Sequence, residues 1–71
     1  MKQGVLIGLG DRLNQLIGDS RETPEAFAER LEIDRRTLYN YMGGKTIPSA
    51  GMIVVICREY KVSADWLLGL E

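Results

Sequence analysis

Within the segment IDRRTLYNYMGGKTIPS, residues 33 to 49, the side chains best suited to chemistry are Arg35, Arg36, Tyr39 and Asn40. Placed on a helix at about 100° per residue, these four and Gly43 fall within roughly 140° of one another. Leu38, Tyr41 and Met42 take the opposite side. One face is apolar and must pack inward; the other is a row of hydrogen-bonding groups. An arginine can donate two parallel hydrogen bonds to one guanine, and an asparagine can pair bidentately with adenine. Side chains near the start of such a helix reach deepest when it lies in a major groove. The same face also reads as an ordinary solvated surface whose arginines are balanced by Glu29 and Glu32. The wheel alone leaves both readings open.

The position of the arginines sharpens the question. With Asp34 as a cap, Arg35 and Arg36 occupy the first helical turn, where the backbone already presents positive partial charge and cations are unfavourable. A chain of net charge −1 and pI about 5.4 has no general excess of base to scatter there. Other chemistries are poorly supplied. Histidine is absent and Cys57 is the single cysteine, so the commonest general base, a thiolate metal cluster and an intrachain disulfide are all missing. There is no G-x-S-x-G, no P-loop and no set of paired metal ligands. The sequence therefore predicts no catalytic residues, no metal and no cofactor, and hence no enzyme.

The elements that must hold this face are short and helical. In GLGDRLNQLIGDS, Leu9, Leu13, Leu16 and Ile17 share one side, and Gly18 with the run Asp19 to Glu22 predicts the end of that helix. Thr23 is suited to an N-cap, Pro24 to the first helical position and Glu25 to the positive helix end, with Phe27, Ala28 and Leu31 facing inward. A helix over 34–43 follows almost at once and stops at Gly43-Gly44. Ser49 caps a fourth, with Ile53, Ile56, Cys57 and Tyr60 inward, and Ser63 caps the last. The fold class is all-α, with five helices. Trp66 and Leu67 are expected to close the core, and Cys57 to act there as a small hydrophobe. Arg12 has two readings, a phosphate contact or a surface ion pair with an acid.

Two helices joined by a three- or four-residue turn, the second bearing the polar face, form a helix-turn-helix. The ordered set RLNQLI (12–17), TPEAFAERLEIDRRTLYNYMGGKTIPS (23–49) and VSADWLLGL (62–70) resembles the phage repressor/Cro-type, XRE-like, helix-turn-helix family. The resemblance implies a compact five-helix, lambda-repressor-like domain over residues 9–70, with 1–8 as an N-terminal arm or extension. It implies a regulator, such as a phage or bacterial repressor, that binds double-stranded operator DNA as a homodimer. Carried over by position, Arg35, Arg36 and Asn40 match base-reading positions and Tyr39 adds a contact. Thr37, Lys45 and the backbone at Gly43 and Gly44 would approach phosphate.

Three departures stand out. Pro24 occupies the position where the family has a phosphate-binding glutamine, and it offers neither that side chain nor an N–H. Glu32 stands where a turn glycine is usual, at a cost of roughly 1–2 kcal/mol if its φ is positive. Ile17 and Met42 take the places of an arginine–acid pair.

The run Val5 to Gly10 is too short to span a membrane and lacks the flanks of a signal peptide, so the expected location is the bacterial cytoplasm or nucleoid. Met52, Val55, Leu68 and Leu70 are expected to offer an apolar surface, covered either by a second copy or by the Val5–Leu9 segment. A longer native chain with a further C-terminal domain is also expected. The rival reading is a protein-binding helix-turn-helix module, such as an antitoxin or coactivator domain.

Overall fold

In the computed structural model, the backbone is described for residues 2–70 and the side chains for residues 8–70. The order is α1 (Lys2–Ser20), α2 (Pro24–Leu31), α3 (Arg35–Met42), α4 (Ala50–Tyr60) and α5 (Ala64–Leu67), with no strand among the described residues. Serine or threonine caps three of these starts. Thr23 Oγ1 accepts from the Ala26 N–H (3.1 Å), Ser49 Oγ from Met52 (3.1 Å) and Ser63 Oγ from Trp66 (3.0 Å). Each satisfies an amide that the helix leaves without a partner.

Two helix ends fall where the sequence places them but are built differently from the usual pattern. Helix α1 runs through Gly18 and ends at Ser20, where Arg21 turns to φ 62° and donates its N–H to the Gly18 carbonyl (3.2 Å). A single glycine costs a helix only about 1 kcal/mol, which the buried Leu16 and Ile17 beside it outweigh. Asp34 sits at the N-cap of α3, but its side chain makes no cap hydrogen bond. The backbone of residues 2–8 continues α1. The side chains of residues 5–7, on which any cover by Val5–Leu9 depends, lie outside the described ones.

The core is one apolar cluster. Leu9, Leu13, Leu16 and Ile17 of α1 meet Phe27, Ala28 and Leu31 of α2, Leu38 of α3, Ile53 and Ile56 of α4 and Leu67 of α5. Among the described residues no polar or charged residue is buried. Met52 and Leu68 pack against this cluster, so the expected apolar surface loses both and consists of Ile47, Val54, Val55 and Leu70. Val54 is 48% exposed and Val55 42%. Trp66 is half-buried, with the Arg12 guanidinium 5.0 Å from its ring centre. Arg12 is thus engaged by an aromatic face and makes no ion pair with an acid among the described residues, an arrangement favourable by about 0.5–1 kcal/mol at an open site.

Helix α3 is held from two sides, by α1 and by α2. Gly10 of α1 is buried under the end of α3, where a Cβ would stand 2.6 Å from the Met42 carbonyl oxygen. Asn14 Nδ2, one turn later, donates to the Gly10 carbonyl (2.8 Å) and reaches that of Met42 (3.4 Å). Helix α2 is in turn pinned to α4. Phe27 stacks on Tyr60 with ring centres 4.6 Å apart, and the Tyr60 hydroxyl donates to Glu22 Oε1 (2.7 Å). Arg30 lies over the Tyr60 ring and pairs with Glu22 and, at 3.4 Å, with Glu59.

Candidate nucleic-acid interface

Between α2 and α3 the chain turns in three residues. Glu32 adopts the left-handed conformation (φ 60°, ψ 41°) and donates to the Glu29 carbonyl (3.0 Å), and Ile33 donates to that of Ala28 (3.0 Å). The strain anticipated for a residue in place of glycine is therefore present at Glu32. Ile33, half-buried against the core, fills the angle between the helices. This tight turn sets the direction of α3 and hence the direction of its polar face.

On that face Arg35, Arg36 and Tyr39 are exposed, and Thr37 and Asn40 are half-buried. Leu38 is fully buried beneath them, with Tyr41 and Met42 packed against the core. The two sides of the wheel are thus separated as the spacing predicts. Asp34 leaves the open amides of the first turn without a side-chain cap, and Arg35 and Arg36 are the first two residues of that turn. Such an end draws anions twice over, by its backbone and by its side chains.

The acid that pairs with Arg35 is neither Glu29 nor Glu32. It is Glu25, in the first turn of α2, whose Oε2 lies 3.5 Å from an Arg35 guanidinium nitrogen and accepts from the Tyr39 hydroxyl (3.3 Å). Among the described residues Arg36 and Lys45 have no ion-pair partner. Sequence reading missed Glu25 as a member of the site because the residues it meets lie ten and fourteen positions away. Its one signal was a carboxylate two residues after a cap, which reads first as a helix-end charge.

At the other end of α3, Gly43 caps the helix and Gly44 takes φ 76°, a conformation that glycine reaches without strain. Their amides are already spent. Gly43 donates to the Tyr39 carbonyl (2.9 Å), Gly44 to that of Tyr41 (3.2 Å) and Lys45 to that of Asn40 (2.9 Å). The Lys45 side chain projects into solvent beyond this closed turn.

Among the described residues, no group of three or more His, Cys, Asp or Glu side chains could hold a metal ion, and no helix is long and apolar enough to cross a membrane. Cys57 is half-buried, and burial raises its thiol above the ordinary value, away from the reactive thiolate.

Compared with known families, the chain matches a family model described as a helix-turn-helix domain, over residues 10–71. No curated protein and no solved structure matches it.

Proposed function

The chain belongs to the XRE-like helix-turn-helix family, and we propose that it is a sequence-specific transcriptional regulator, a phage or bacterial repressor that reads operator DNA with α3 in the major groove. The observation that carries this reading is the start of α3. Two arginines stand exposed in a first turn that no side chain caps, and one of them, Arg36, has no carboxylate partner among the described residues.

In this reading Arg35 and Arg36 donate to base edges in the groove, and Asn40 pairs with an adenine one turn along. Tyr39 adds a contact beside them. Thr37 and Lys45 donate to phosphates on the two sides of the groove. The backbone at Gly43 and Gly44 comes close to the strand without donating, since its amides serve the turn. Repression is steric: a domain seated on the operator denies the same duplex to RNA polymerase.

One short helix reads too few base pairs for high specificity, so the functional unit is a homodimer on two half-sites in the cytoplasm or nucleoid. The exposed apolar residues Ile47, Val54 and Val55 supply surface for such pairing. They are also what favours the second reading, in which this surface docks a different protein, as in an antitoxin or coactivator. The near-neutral net charge predicts weak non-specific affinity and a shallow dependence on salt.

The test is selection of the domain against a random duplex pool at low salt, beside the Arg35→Ala/Arg36→Ala double variant. The expected result is an enriched, two-fold symmetric motif that the double variant fails to recover. A folded protein that enriches nothing, even as a covalently linked dimer, would overturn the DNA reading in favour of protein docking.

A further inference from the structure

We propose that Glu25 is a positioning residue for base reading: it holds Arg35 and Tyr39 against α2 and so decides which base Arg35 addresses. The inference rests on the DNA reading above and adds to it a residue outside α3. One carboxylate oxygen, Oε2, serves two α3 side chains a single turn apart, the Arg35 guanidinium at 3.5 Å and the Tyr39 hydroxyl at 3.3 Å. All three side chains are exposed, so the arrangement buries nothing and contributes little to folding. What it does is restrict a long, rotamer-rich side chain before any duplex arrives. Restricting a binding group in advance lowers the cost of ordering it on association.

The start of α2 is a well-capped helix end, which fixes the backbone that carries Glu25. Thr23 caps the Ala26 amide, its carbonyl takes the Phe27 amide, and Pro24 has no N–H to offer. The turn thus has few donors left for a phosphate, and the Glu25 carboxylate adds a negative charge that repels one. A carboxylate at this place lowers affinity for every duplex alike. Fixing Arg35 raises affinity for one sequence only. Removing Glu25 therefore moves general and specific binding in opposite directions, a signature that a purely structural role does not produce.

The experiment measures affinities of wild type, Glu25→Ala, Glu25→Gln, Arg35→Ala and Glu25→Ala/Arg35→Ala for the wild-type-selected duplex, its single-base variants and a scrambled duplex. Circular dichroism checks that each variant is folded, and Glu25→Gln keeps the side-chain shape should the alanine unfold. Loss of Glu25 is expected to raise scrambled-duplex affinity about threefold and to lower the specific-to-scrambled ratio about tenfold. The lost preference should fall at the base position that Arg35→Ala also relaxes, and the double variant should discriminate no worse than Arg35→Ala alone. The proposal is overturned if preferences are unchanged, or if the two single losses multiply. It is also overturned if Glu25→Ala relaxes a position that Arg35→Ala leaves intact, which would make Glu25 a base reader itself. If wild type selects no duplex at all, the DNA reading falls first and this one with it; the wild-type arm separates that failure from the others.

Discussion

Helices α2 and α3 are joined by one short turn and packed together, yet their starts are built to opposite rules. At α2 every preference for helix stability is met: Thr23 caps an amide, Pro24 fills the first position and Glu25 puts negative charge at the positive end. At α3, Asp34 makes no side-chain cap bond and two cations follow it. Each misplaced charge costs about 0.3–1 kcal/mol at an exposed helix end. What secures α3 instead lies on its inner side and at its far end, in Leu38, Gly10 and Asn14. On the proposed function, the contrast makes α2 the scaffold and α3 the working part, held from behind so that its leading turn can be spent on a ligand.

The largest effect should come from breaking that rear attachment. Gly10→Ala puts a Cβ against the Met42 carbonyl, and backbone on both sides leaves little room to yield. Denaturant titration should show a loss of about 1–3 kcal/mol. Gly18→Ala, with nothing within 4 Å, should gain up to about 1 kcal/mol in the same helix. Next come the two caps compared directly. Thr23→Ala should cost about 1 kcal/mol, because a made hydrogen bond is lost. Asp34→Ala should cost no more than about 0.5 kcal/mol, the charge–dipole part alone. Equal losses at the two caps would erase the distinction between them.

The smallest effect concerns the clamp that fixes α2 to α4. Burial, and then the hydrogen bond to Glu22, raise the Tyr60 phenol above its ordinary 10.0. The neutral phenol is thus favoured by folding, so its contribution is complete below pH 10 and declines as pH rises beyond it. The unfolding midpoint should fall between pH 9 and 11 in wild type and fall less in Tyr60→Phe. What slope remains belongs partly to Cys57, which burial also raises, from 9.0.

Much of this was legible in the chain because the signals are local. Thr23, Ser49 and Ser63 each precede a helix and each caps it; Gly43-Gly44 stops α3; the stripe of Leu9, Leu13, Leu16 and Ile17 is buried. The left-handed turn at Glu32 could be anticipated from the helix-turn-helix pattern. What escaped depends on distant residues meeting. The Gly10–Asn14–Met42 attachment needs the crossing of α1 over α3, and Glu25 finds Arg35 only once α2 and α3 are packed. Arg12 over Trp66 joins helices from the two ends of the chain. None of these leaves a periodic trace, so charge balance assigned the arginines to Glu29 and Glu32, their nearer neighbours in sequence.

The most direct test replaces Arg36, which has no ion-pair partner among the described residues, by the charge the helix end would prefer. Arg36→Glu should stabilise the fold by about 0.5–1 kcal/mol in denaturant titration. The same preparation should lose at least about a hundredfold in affinity for the selected duplex, as expected for removing a base-edge arginine and adding a repelled carboxylate. A variant that is more stable and no longer binds would show that the first turn of α3 trades folding for reading. A variant that is less stable, or that binds as before, would contradict it.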